Sequence, residues 1–461
     1  MSAPLLERIP PQSLEAEQAT LGAMLTEREA IARVVDLLEP DDFYSPQHQM
    51  LYRAMVDLFN DSEPVDLVTL QARLQDRGQL ERTGGTPYLL ALQEAAPTAA
   101  AVGHYARIVR EKATLRGLIR AAGEIRNMAQ TAGDEDVDTI LDRCEQEIFS
   151  VSERTITPAF TLIRDLLGET YDRIDEMQET HRPGTGLSTG LDDLDSLTSG
   201  LQISDLVVIA ARPSMGKTAL AMNIGCLLAK TQNKSVAVFS LEMAKEQLAL
   251  RLLCSEARVN QQNVRQGYLE RGDMDRIAIA ASELYKAPMY LDDTPTMTVL
   301  QMRGKARRLR AEHGLDLIIV DYLQLVSGYG HFENRNQEIS QVARSLKALG
   351  RELKVPVIAL SQLSRAVEAR GHPRRPILSD LRESGSIEQE ADVVCFIYRP
   401  SYYGDQELQA AGYLDTDRHI AEIIVAKQRN GPTGTVRLAW LDEYVRFENL
   451  EERFSPAEGD R

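Results

Sequence analysis

The first 150 residues carry apolar side chains at the spacing of α-helices. Between residues 14 and 38 they recur every three, four or seven positions, which is the period of one helix face. This stripe consists of Leu14, Leu21, Leu25, Ile31, Val35 and Leu38. Similar stripes follow over residues 50–59, 67–74 and 105–128, and alternating β-branched runs are nearly absent. The pattern predicts an all-helical N-terminal domain over residues 1–155.

Residues 156–186 are predicted to connect this domain to the next one. One amphipathic helix is expected from about residue 160 to residue 178, with four apolar side chains on one face. These are Ile163, Leu167, Ile174 and Met177. Such a stripe must be buried, either against its own domain or against a neighbouring subunit, and periodicity does not distinguish these alternatives.

From residue 201 onward the pattern changes to short, continuous apolar runs, most of them separated by helical stretches. The runs cover residues 206–211, 236–239, 317–320, 355–360, 393–398 and 420–426. Runs of this length without alternation are typical of strands buried on both faces of a parallel sheet. We therefore predict an α/β domain over residues 187–461, with a mostly parallel sheet flanked by helices.

Composition narrows the possible functions. The formal net charge of -17 over 461 residues excludes a polybasic mode of nucleic-acid binding but permits a local basic channel. The acidic excess lies in the first 200 residues, because residues 201–461 contain 34 acidic and 34 basic side chains. The cysteines and histidines form no recognisable metal motif. No apolar segment is long enough to cross a membrane, so we expect a cytoplasmic protein.

The strongest chemical signal runs from Leu206 to Thr218, where a buried strand leads through a loop into a helix. The loop ends in Gly-Lys-Thr, as phosphate-binding loops do. The backbone at Gly216 would admit phosphates, Lys217 would bind the β- and γ-phosphates, and Thr218 would coordinate Mg²⁺. The predicted nucleotide contacts are Ser214, Met215, Gly216, Lys217, Thr218 and Ala219. Ala211 replaces the glycine that usually begins this motif, so a chance Gly-Lys-Thr is the alternative.

Two acidic residues follow other apolar runs. Asp321 would reach the carboxyl edge of a parallel sheet, where it can hold Mg²⁺. Glu242 follows the next strand after the phosphate loop and could deprotonate the attacking water. An acid after a strand often only marks a turn or caps a helix, which is the alternative for both residues.

Two basic stretches complete the candidate chemistry. Residues 302–310 contain five basic side chains, and we predict a solvated helix face there. Lys427, Gln428 and Arg429 precede Asn430-Gly431, the sequence of a tight turn, and a returning strand is expected over residues 433–440. Cations at such a tip can contact a phosphate across a subunit boundary. A role in solubility is the alternative.

Together, these motifs resemble those of the bacterial replicative DNA helicases of the DnaB family. The stretches are ARPSMGKT (211–218), FSLEM (239–243), DYLQL (321–325), LSQLSR (360–365), SDLRESGSIEQ (379–389) and KQRNG (427–431). PPQSLEAE (10–17) and DDFY (41–44) are similar to the same family, so the likeness covers nearly the whole chain. In this family the position of Ala211 varies between alanine and glycine, which removes the objection to the phosphate loop.

The resemblance implies a RecA-like ATPase domain in a homohexameric ring, with a helical N-terminal collar and a linker helix docked on the adjacent subunit. ATP and Mg²⁺ are the implied cofactors. The implied partners are single-stranded DNA, a forked duplex, primase and a helicase loader. The implied activity is ATP-driven 5′→3′ translocation and unwinding at the replication fork, in the cytoplasm at the nucleoid.

The resemblance also assigns residues to roles. Glu242 becomes the hydrolytic base, and Gln362 senses the γ-phosphate. Lys427 and Arg429, with Gln428 between them, act on the nucleotide of the neighbouring subunit. Arg251 matches a position near the nucleotide. Three further residues would hold the backbone of single-stranded DNA, namely Arg382, Glu383 and Gly385.

Two other classes of protein share the motor motifs. One is a RecA-like strand-exchange ATPase, which would form filaments and normally lacks such a collar. The other is a non-catalytic nucleotide-binding assembly, which would show no DNA-stimulated turnover. The collar, the Arg382 loop and the Lys427–Arg429 stretch favour the helicase.

Overall fold

The computed structural model describes residues 9–61, 63–94, 101–133, 186–328, 332, 334–414 and 417–450, with scattered positions between 137 and 175. The side chains of residues 28 and 382–386 are outside this description. The chain divides into two compact units, Met1–Gly168 and Glu169–Arg461. The predicted domain boundary at residue 155 lies outside the described residues.

The described part of the N-terminal unit is helical. Its helices are α1 (Leu14–Thr26), α2 (Arg28–Val35), α3 (Pro46–Asn60), α4 (Leu67–Asp76), α5 (Gly85–Glu94) and α6 (Val102–Gln130). Leu21, Leu25 and Ile31 of the predicted stripe are buried, whereas Leu14 lies at its exposed margin. The predicted all-helical domain is confirmed over the described residues.

The two N-terminal stretches that resemble the helicase family meet at one buried carboxylate. Glu17 accepts hydrogen bonds from the backbone N–H groups of Tyr44 (2.7 Å) and Ser45 (3.3 Å), at the start of α3. His48 Nδ1 lies 2.6 Å from the same carboxylate. The first N–H groups of a helix have no partner within it, so a carboxylate there stabilises the helix terminus. These residues hold the α1–α3 corner together.

The described part of the C-terminal unit contains a nine-stranded sheet, and helices separate the strands from β1 to β7. The strands are β1 (Leu206–Ala211), β2 (Val236–Ser240), β3 (Met289–Asp292), β4 (Leu317–Asp321), β5 (Val357–Gln362), β6 (Val393–Tyr398), β7 (Ile420–Gln428), β8 (Gly434–Leu441) and β9 (Arg446–Asn449). The helices are α7 (Asp192–Thr198), α8 (Lys217–Gln232), α9 (Lys245–Ala257), α10 (Gln261–Gln266), α11 (Asp273–Leu284), α12 (Val299–His313), α13 (Arg335–Leu353), α14 (Gly385–Glu390) and α15 (Asp405–Ala410).

The strand order is β3-β2-β4-β5-β1-β6-β7-β8-β9. The first six strands in this order run parallel, and β7, β8 and β9 continue the sheet in antiparallel fashion. The predicted α/β class with a mostly parallel sheet is therefore confirmed. β1 and β6 have the predicted bounds, whereas β3 and β9 were not predicted. Both are four-residue strands, and β3 is only partly buried, so neither carries an apolar run.

The apolar run over residues 420–426 corrects one expectation. It forms β7, as predicted, but pairs antiparallel with β6. Ile423 and Val425 pack into the core on one face of the sheet, and Ile424 and Ala426 pack on the other. Burial of both faces produces a continuous apolar run in either strand direction. The hairpin expected after Arg429 is confirmed, because β7 and β8 pair antiparallel.

Only part of the predicted linker helix is described. Residues 163–164, 167–168, 171 and 175 are helical, and Ile163 and Leu167 are exposed. Ile174 and Met177 lie outside the described residues. Docking of this stripe on an adjacent subunit stays a prediction. In the part of the chain that is described, no helix has both the length and the apolar composition needed to span a bilayer.

Candidate active site

Strands β1, β2, β4 and β5 run parallel, so their carboxyl ends meet at one edge of the sheet. We call this the phosphate edge, and it comprises residues 211–218, 240–242, 321–322 and 362. β1 ends at Ala211, and α8 begins at Lys217. In the loop between them, Ser214 and Gly216 have φ angles of +65° and +97°. Left-handed residues in a short loop turn backbone N–H groups toward a common concavity, and the helix N-terminus adds positive potential, so the loop suits a phosphate.

Four side chains predicted from three separate parts of the sequence converge at this edge. Lys217 Nζ lies 3.3 Å from Asp321 Oδ1 and 3.8 Å from Glu242 Oε2. The Thr218 hydroxyl donates a 2.6 Å hydrogen bond to Asp321 Oδ2. Lys217 Nζ also lies 4.1 Å from the centre of the ring of Tyr322, for which no role was predicted.

Strand register explains this convergence. Ser240 of β2 pairs with Asp321 of β4, and the Leu241 N–H donates a 2.8 Å hydrogen bond to the Asp321 carbonyl. Glu242 therefore follows directly at the same level of the sheet. Its side chain is 51% exposed, whereas that of Asp321 is 3% exposed. Water has access to Glu242, which suits a general base, whereas Asp321 is enclosed.

Asp321 and Thr218 fit a magnesium ion. Apart from its ion pair with Lys217, Asp321 Oδ1 has no hydrogen-bond partner among the described residues. A buried carboxylate oxygen that accepts no hydrogen bond is costly, and a bound cation would reduce that cost. Carboxylate and hydroxyl oxygens are ligands that Mg²⁺ accepts.

Ala211 and Gln362 lie side by side at the ends of β1 and β5. The Ala211 carbonyl accepts a hydrogen bond from Leu363 N–H, and its φ is not in the left-handed region. Because Ala211 continues regular strand structure, no glycine is needed there. The Gln362 side chain is exposed, and its backbone contacts Gln324, the neighbour from the connection after β4. Gln362 thus lies at the phosphate edge, and its role in sensing the γ-phosphate stays a prediction.

Arg251 projects from α9, the helix that follows Glu242. Its Nε has no hydrogen-bond partner among the described residues. Burial lowers the pKa of Arg251 and the charge of Arg265 adds to this, while Asp321 and Glu242 oppose the shift. The guanidinium therefore lies within electrostatic range of the phosphate edge and has donor capacity left for an anion.

Lys427, Gln428 and Arg429 lie at the opposite edge of the sheet. Gln428 pairs with Val393, the first residue of β6, and β6 runs parallel to β1. We call this the finger edge, and it comprises residues 388–392 and 427–429. Lys427 Nζ donates to the backbone carbonyls of Glu388, Gln389 (3.4 Å) and Ala391 (2.8 Å), at the end of α14.

Arg429 is held at the same place. Its guanidinium donates to the Gln389 carbonyl and lies 3.7 Å from Asp392 Oδ1, and its backbone N–H donates to the Asp392 carbonyl. Burial lowers the pKa of Lys427, and the charge of Arg429 lowers it further. The structure therefore does not bring these cations to the phosphate loop of their own chain.

The predicted DNA contacts are only partly described. The backbone of Arg382 and Glu383 lies in a 3-10 segment, Leu378–Ser384, and Gly385 begins α14. The side chains of these residues lie outside the described part of the chain. This loop leads directly into the helix whose last carbonyls contact Lys427.

Comparison with known proteins places this geometry in a family. The model of the DnaB-like helicase N-terminal domain matches residues 9–111, and that of the DnaB-like helicase C-terminal domain matches residues 186–449. The chain belongs to the DnaB-like replicative DNA helicases. As a member of this family it is an ATP-dependent DNA helicase, which confirms the predicted enzyme class.

The relatives support this assignment over the whole length. The replicative DNA helicase DnaB of Geobacillus stearothermophilus is 50% identical over 99% of both chains. The replicative DNA helicase DnaC of Bacillus subtilis is 48% identical over 98% of both chains.

Solved structures agree with the fold. A DnaB-like replicative helicase, studied with its interactions with primase, is 33% identical with a TM-score of 0.73, over 95% of this chain and all of that one. The ATPase domain of G40P is 37% identical with a TM-score of 0.58, over 64% of this chain and all of that one.

Two details of this DnaB-like chain differ from the sequence analysis. The basic side chains on α12 are not simply solvated, because Arg303 and Arg307 contact Glu352, and Lys305 contacts Asp292.

Arg399, directly after β6, reaches the phosphate loop and was not predicted. Because β6 is parallel to β1, the rule that located Asp321, a polar residue at the carboxyl end of a buried strand, could have indicated Arg399.

Proposed function

We propose that the phosphate edge hydrolyses ATP and that the finger edge of a neighbouring subunit completes the site in a homohexameric ring. The convergence of Lys217, Thr218, Glu242 and Asp321 is the observation that carries this proposal. Lys217 binds the β- and γ-phosphates, and Thr218 and Asp321 hold Mg²⁺. The metal ion, when bound, neutralises charge on the phosphate oxygens.

Glu242 acts as the base. Its exposed carboxylate takes a proton from water as the water oxygen bonds to the γ-phosphorus and the bond to the ADP oxygen breaks. Arg251 supplies a further cation near the nucleotide. The phosphate loop and the start of α8 supply the remaining contacts, which come from Ser214, Met215, Gly216 and Ala219.

The finger edge acts in trans because it cannot serve its own chain. β1 has six residues, and at ~3.3 Å per residue it separates the two edges by roughly 17–20 Å. No side chain covers that distance within the sheet. A neighbouring copy, stacked edge to edge in a ring, brings Lys427, Gln428 and Arg429 to the phosphates, as an arginine finger requires.

The connection between β5 and β6 couples the state of the bound nucleotide to DNA binding. Gln362 ends β5 at the phosphate edge, and the same connection carries Arg382, Glu383 and Gly385. We place single-stranded DNA on this loop in the ring channel, held by its backbone. Translocation runs 5′→3′ and opens the forked duplex.

The N-terminal unit is the proposed surface for primase. A helicase loader is the proposed partner for ring assembly on DNA, and the ring works in the cytoplasm at the nucleoid. The linker helix joins adjacent subunits through its apolar stripe.

ATP hydrolysis by mixed rings on a forked duplex tests the proposal. Lys217→Ala rings and Arg429→Ala rings are each expected to be inactive with ATP and Mg²⁺. Rings assembled from both variants should recover part of the ATPase activity, because Arg429 of a Lys217→Ala subunit can serve the intact phosphate loop of its neighbour. No recovery in confirmed mixed rings would contradict action in trans.

The same forks decide between the classes of protein. Forks with only a 5′ or only a 3′ single-stranded arm report polarity, and we expect unwinding on the 5′ arm. DNA-stimulated hydrolysis without unwinding on any fork would favour a strand-exchange ATPase. Nucleotide binding without DNA-stimulated hydrolysis would favour a non-catalytic assembly.

A further inference from the structure

The phosphate loop rests on two aromatic rings from the C-terminal hairpin formed by β8 and β9. A Cβ atom at Gly216 would lie 2.9 Å from Phe447 and 3.1 Å from Trp440. The two rings contact each other with centroids 4.6 Å apart. Phe447 N–H donates a 3.0 Å hydrogen bond to Asn223 of α8. Strands β8 and β9 therefore support the loop and the helix that follows it.

Arg399 connects this support to the loop backbone. Its Nη1 donates a 3.2 Å hydrogen bond to the Ser214 carbonyl, and its Nη2 donates a 2.8 Å hydrogen bond to Asp442 Oδ1. The guanidinium carbon lies 4.3 Å from the centre of the Trp440 ring. Trp440 Nε1 donates to the same oxygen of Asp442. The side chain of Arg399 is 9% exposed, so this geometry is enclosed.

Arg399 contacts Ser214, the non-glycine residue of the loop that has a left-handed φ angle. Ser214 has a φ of +65°, a conformation that costs a residue with a Cβ and persists only where the surroundings hold it. Among the described residues, Arg399 is the side chain that holds the Ser214 carbonyl. A planar guanidinium fork can bind a carbonyl, a carboxylate and an aromatic face at once, whereas a lysine cannot.

We propose that Arg399 is a positioning residue that keeps the phosphate loop in its nucleotide-binding shape. It acts through the Ser214 carbonyl and does not touch the reacting atoms. Loss of Arg399 therefore weakens nucleotide binding and leaves the chemical step nearly intact. The inference rests on the proposed role of the phosphate loop.

Trp440 supplies a direct readout, because it is the only tryptophan of the chain and contacts Arg399. We suggest titrating ADP with Mg²⁺ into the full-length protein while recording tryptophan fluorescence, and measuring KM and kcat for ATP. Arg399→Met should raise the ADP Kd and the ATP KM by about tenfold, as expected for loss of a hydrogen bond from a charged donor, with kcat changed less than about twofold. Arg399→Lys should recover little of this loss.

Two further variants separate positioning from folding. Asp442→Asn leaves Arg399 in place and alters an exposed side chain, so it should raise the ADP Kd by about threefold without loss of structure. Arg437→Met is the matched control, because Arg437 lies on β8 and stacks over Tyr413 instead. It should leave Kd, KM and kcat unchanged.

The inference is overturned if folded Arg399→Met binds ADP normally, or if it lowers kcat at saturating ATP while KM stays constant. ADP binding does not depend on hydrolysis, so the result is separate from the test of the ring mechanism. If Lys217→Ala leaves hydrolysis intact, the proposed function itself fails, whatever Arg399 does.

Discussion

The phosphate edge and the finger edge are both built from cations beside carboxylates or carbonyls, yet they are prepared differently. At the phosphate edge, Lys217 lies between Asp321 and Glu242, and the buried Asp321 Oδ1 accepts no hydrogen bond among the described residues. At the finger edge, Lys427 and Arg429 donate to backbone carbonyls at the end of α14.

The two edges differ in the hydrogen bonds that must break before a nucleotide can bind. The phosphate loop already has left-handed φ angles at Ser214 and Gly216, so it can bind a phosphate without breaking contacts that it makes in the free protein. A lysine ammonium has three donors and no acceptor, and Lys427 already contacts three carbonyls. In the proposed ring it must exchange these carbonyls for a phosphate of its neighbour. Those carbonyls lie at the end of the helix that follows the Arg382 loop. In the proposed ring, the nucleotide of one subunit is therefore coupled to the Arg382 loop of its neighbour.

The largest expected effect on catalysis comes from removing the guanidinium of Arg429 from the finger edge. Arg429→Ala should lower the kcat for DNA-stimulated ATP hydrolysis by about 10³-fold or more, as loss of an arginine finger does. ADP binding should change little, because the phosphate loop is intact. Arg437→Ala, on the adjacent strand β8, is the control. A kcat within about tenfold of wild type would mean that Arg429 has no role in the transition state.

Replacement of the base should have the next largest effect. Glu242→Gln keeps the size of the side chain but cannot accept a proton, so kcat should fall by about 10²–10⁴-fold while KM for ATP stays similar. Steady-state hydrolysis with single-stranded DNA measures this. Glu246→Gln, on the first turn of α9, provides the control. Equal losses in both variants would assign the effect to general charge near the site.

Lys427 should show a smaller, structural effect. Hydrogen exchange of the backbone amides in residues 385–392 should rise by about tenfold in Lys427→Met rings, because the end of α14 loses its cap. In wild-type rings, a non-hydrolysable ATP analogue should raise exchange in the same segment. Exchange that nucleotide leaves unchanged would show that Lys427 stays on α14.

The smallest effect concerns a buried ion pair that joins α8, α9 and β9. Glu256 of α9 contacts Lys230 of α8 and Arg446 of β9. Burial alone would raise the pKa of Glu256, but the Lys230 hydrogen bond and the Arg446 charge outweigh it and lower the pKa below its usual 4.5. Its stabilisation is present above pH 4.5 and is lost as the pH falls through the lower, folded value.

Thermal unfolding of Glu256→Gln should test this sign. The variant should be about 1–3 kcal/mol less stable at pH 7, and the gap should close as the pH is lowered below 4.5. A gap that widens on acidification would reverse the assignment.

The sequence by itself determined most of the phosphate edge. The bounds of β1 and the Gly-Lys-Thr loop follow from local patterns, because burial of both sheet faces and a strand-to-helix turn restrict nearby residues. Asp321 and Glu242 were predicted for the same reason, since parallel strands place their carboxyl ends together. The helical N-terminal unit followed equally from its periodicity.

Only the tertiary structure decided the rest. The direction of β7 is not encoded in its apolar run, because Ile423 and Ile424 are covered on opposite faces whichever way the strand runs. The contacts of Lys427 with the end of α14, and of Arg399 with the Ser214 carbonyl, join residues 36 and 185 positions apart. Such contacts depend on strand order and on which polar groups the packed sheet leaves within reach, and local sequence patterns do not carry that information.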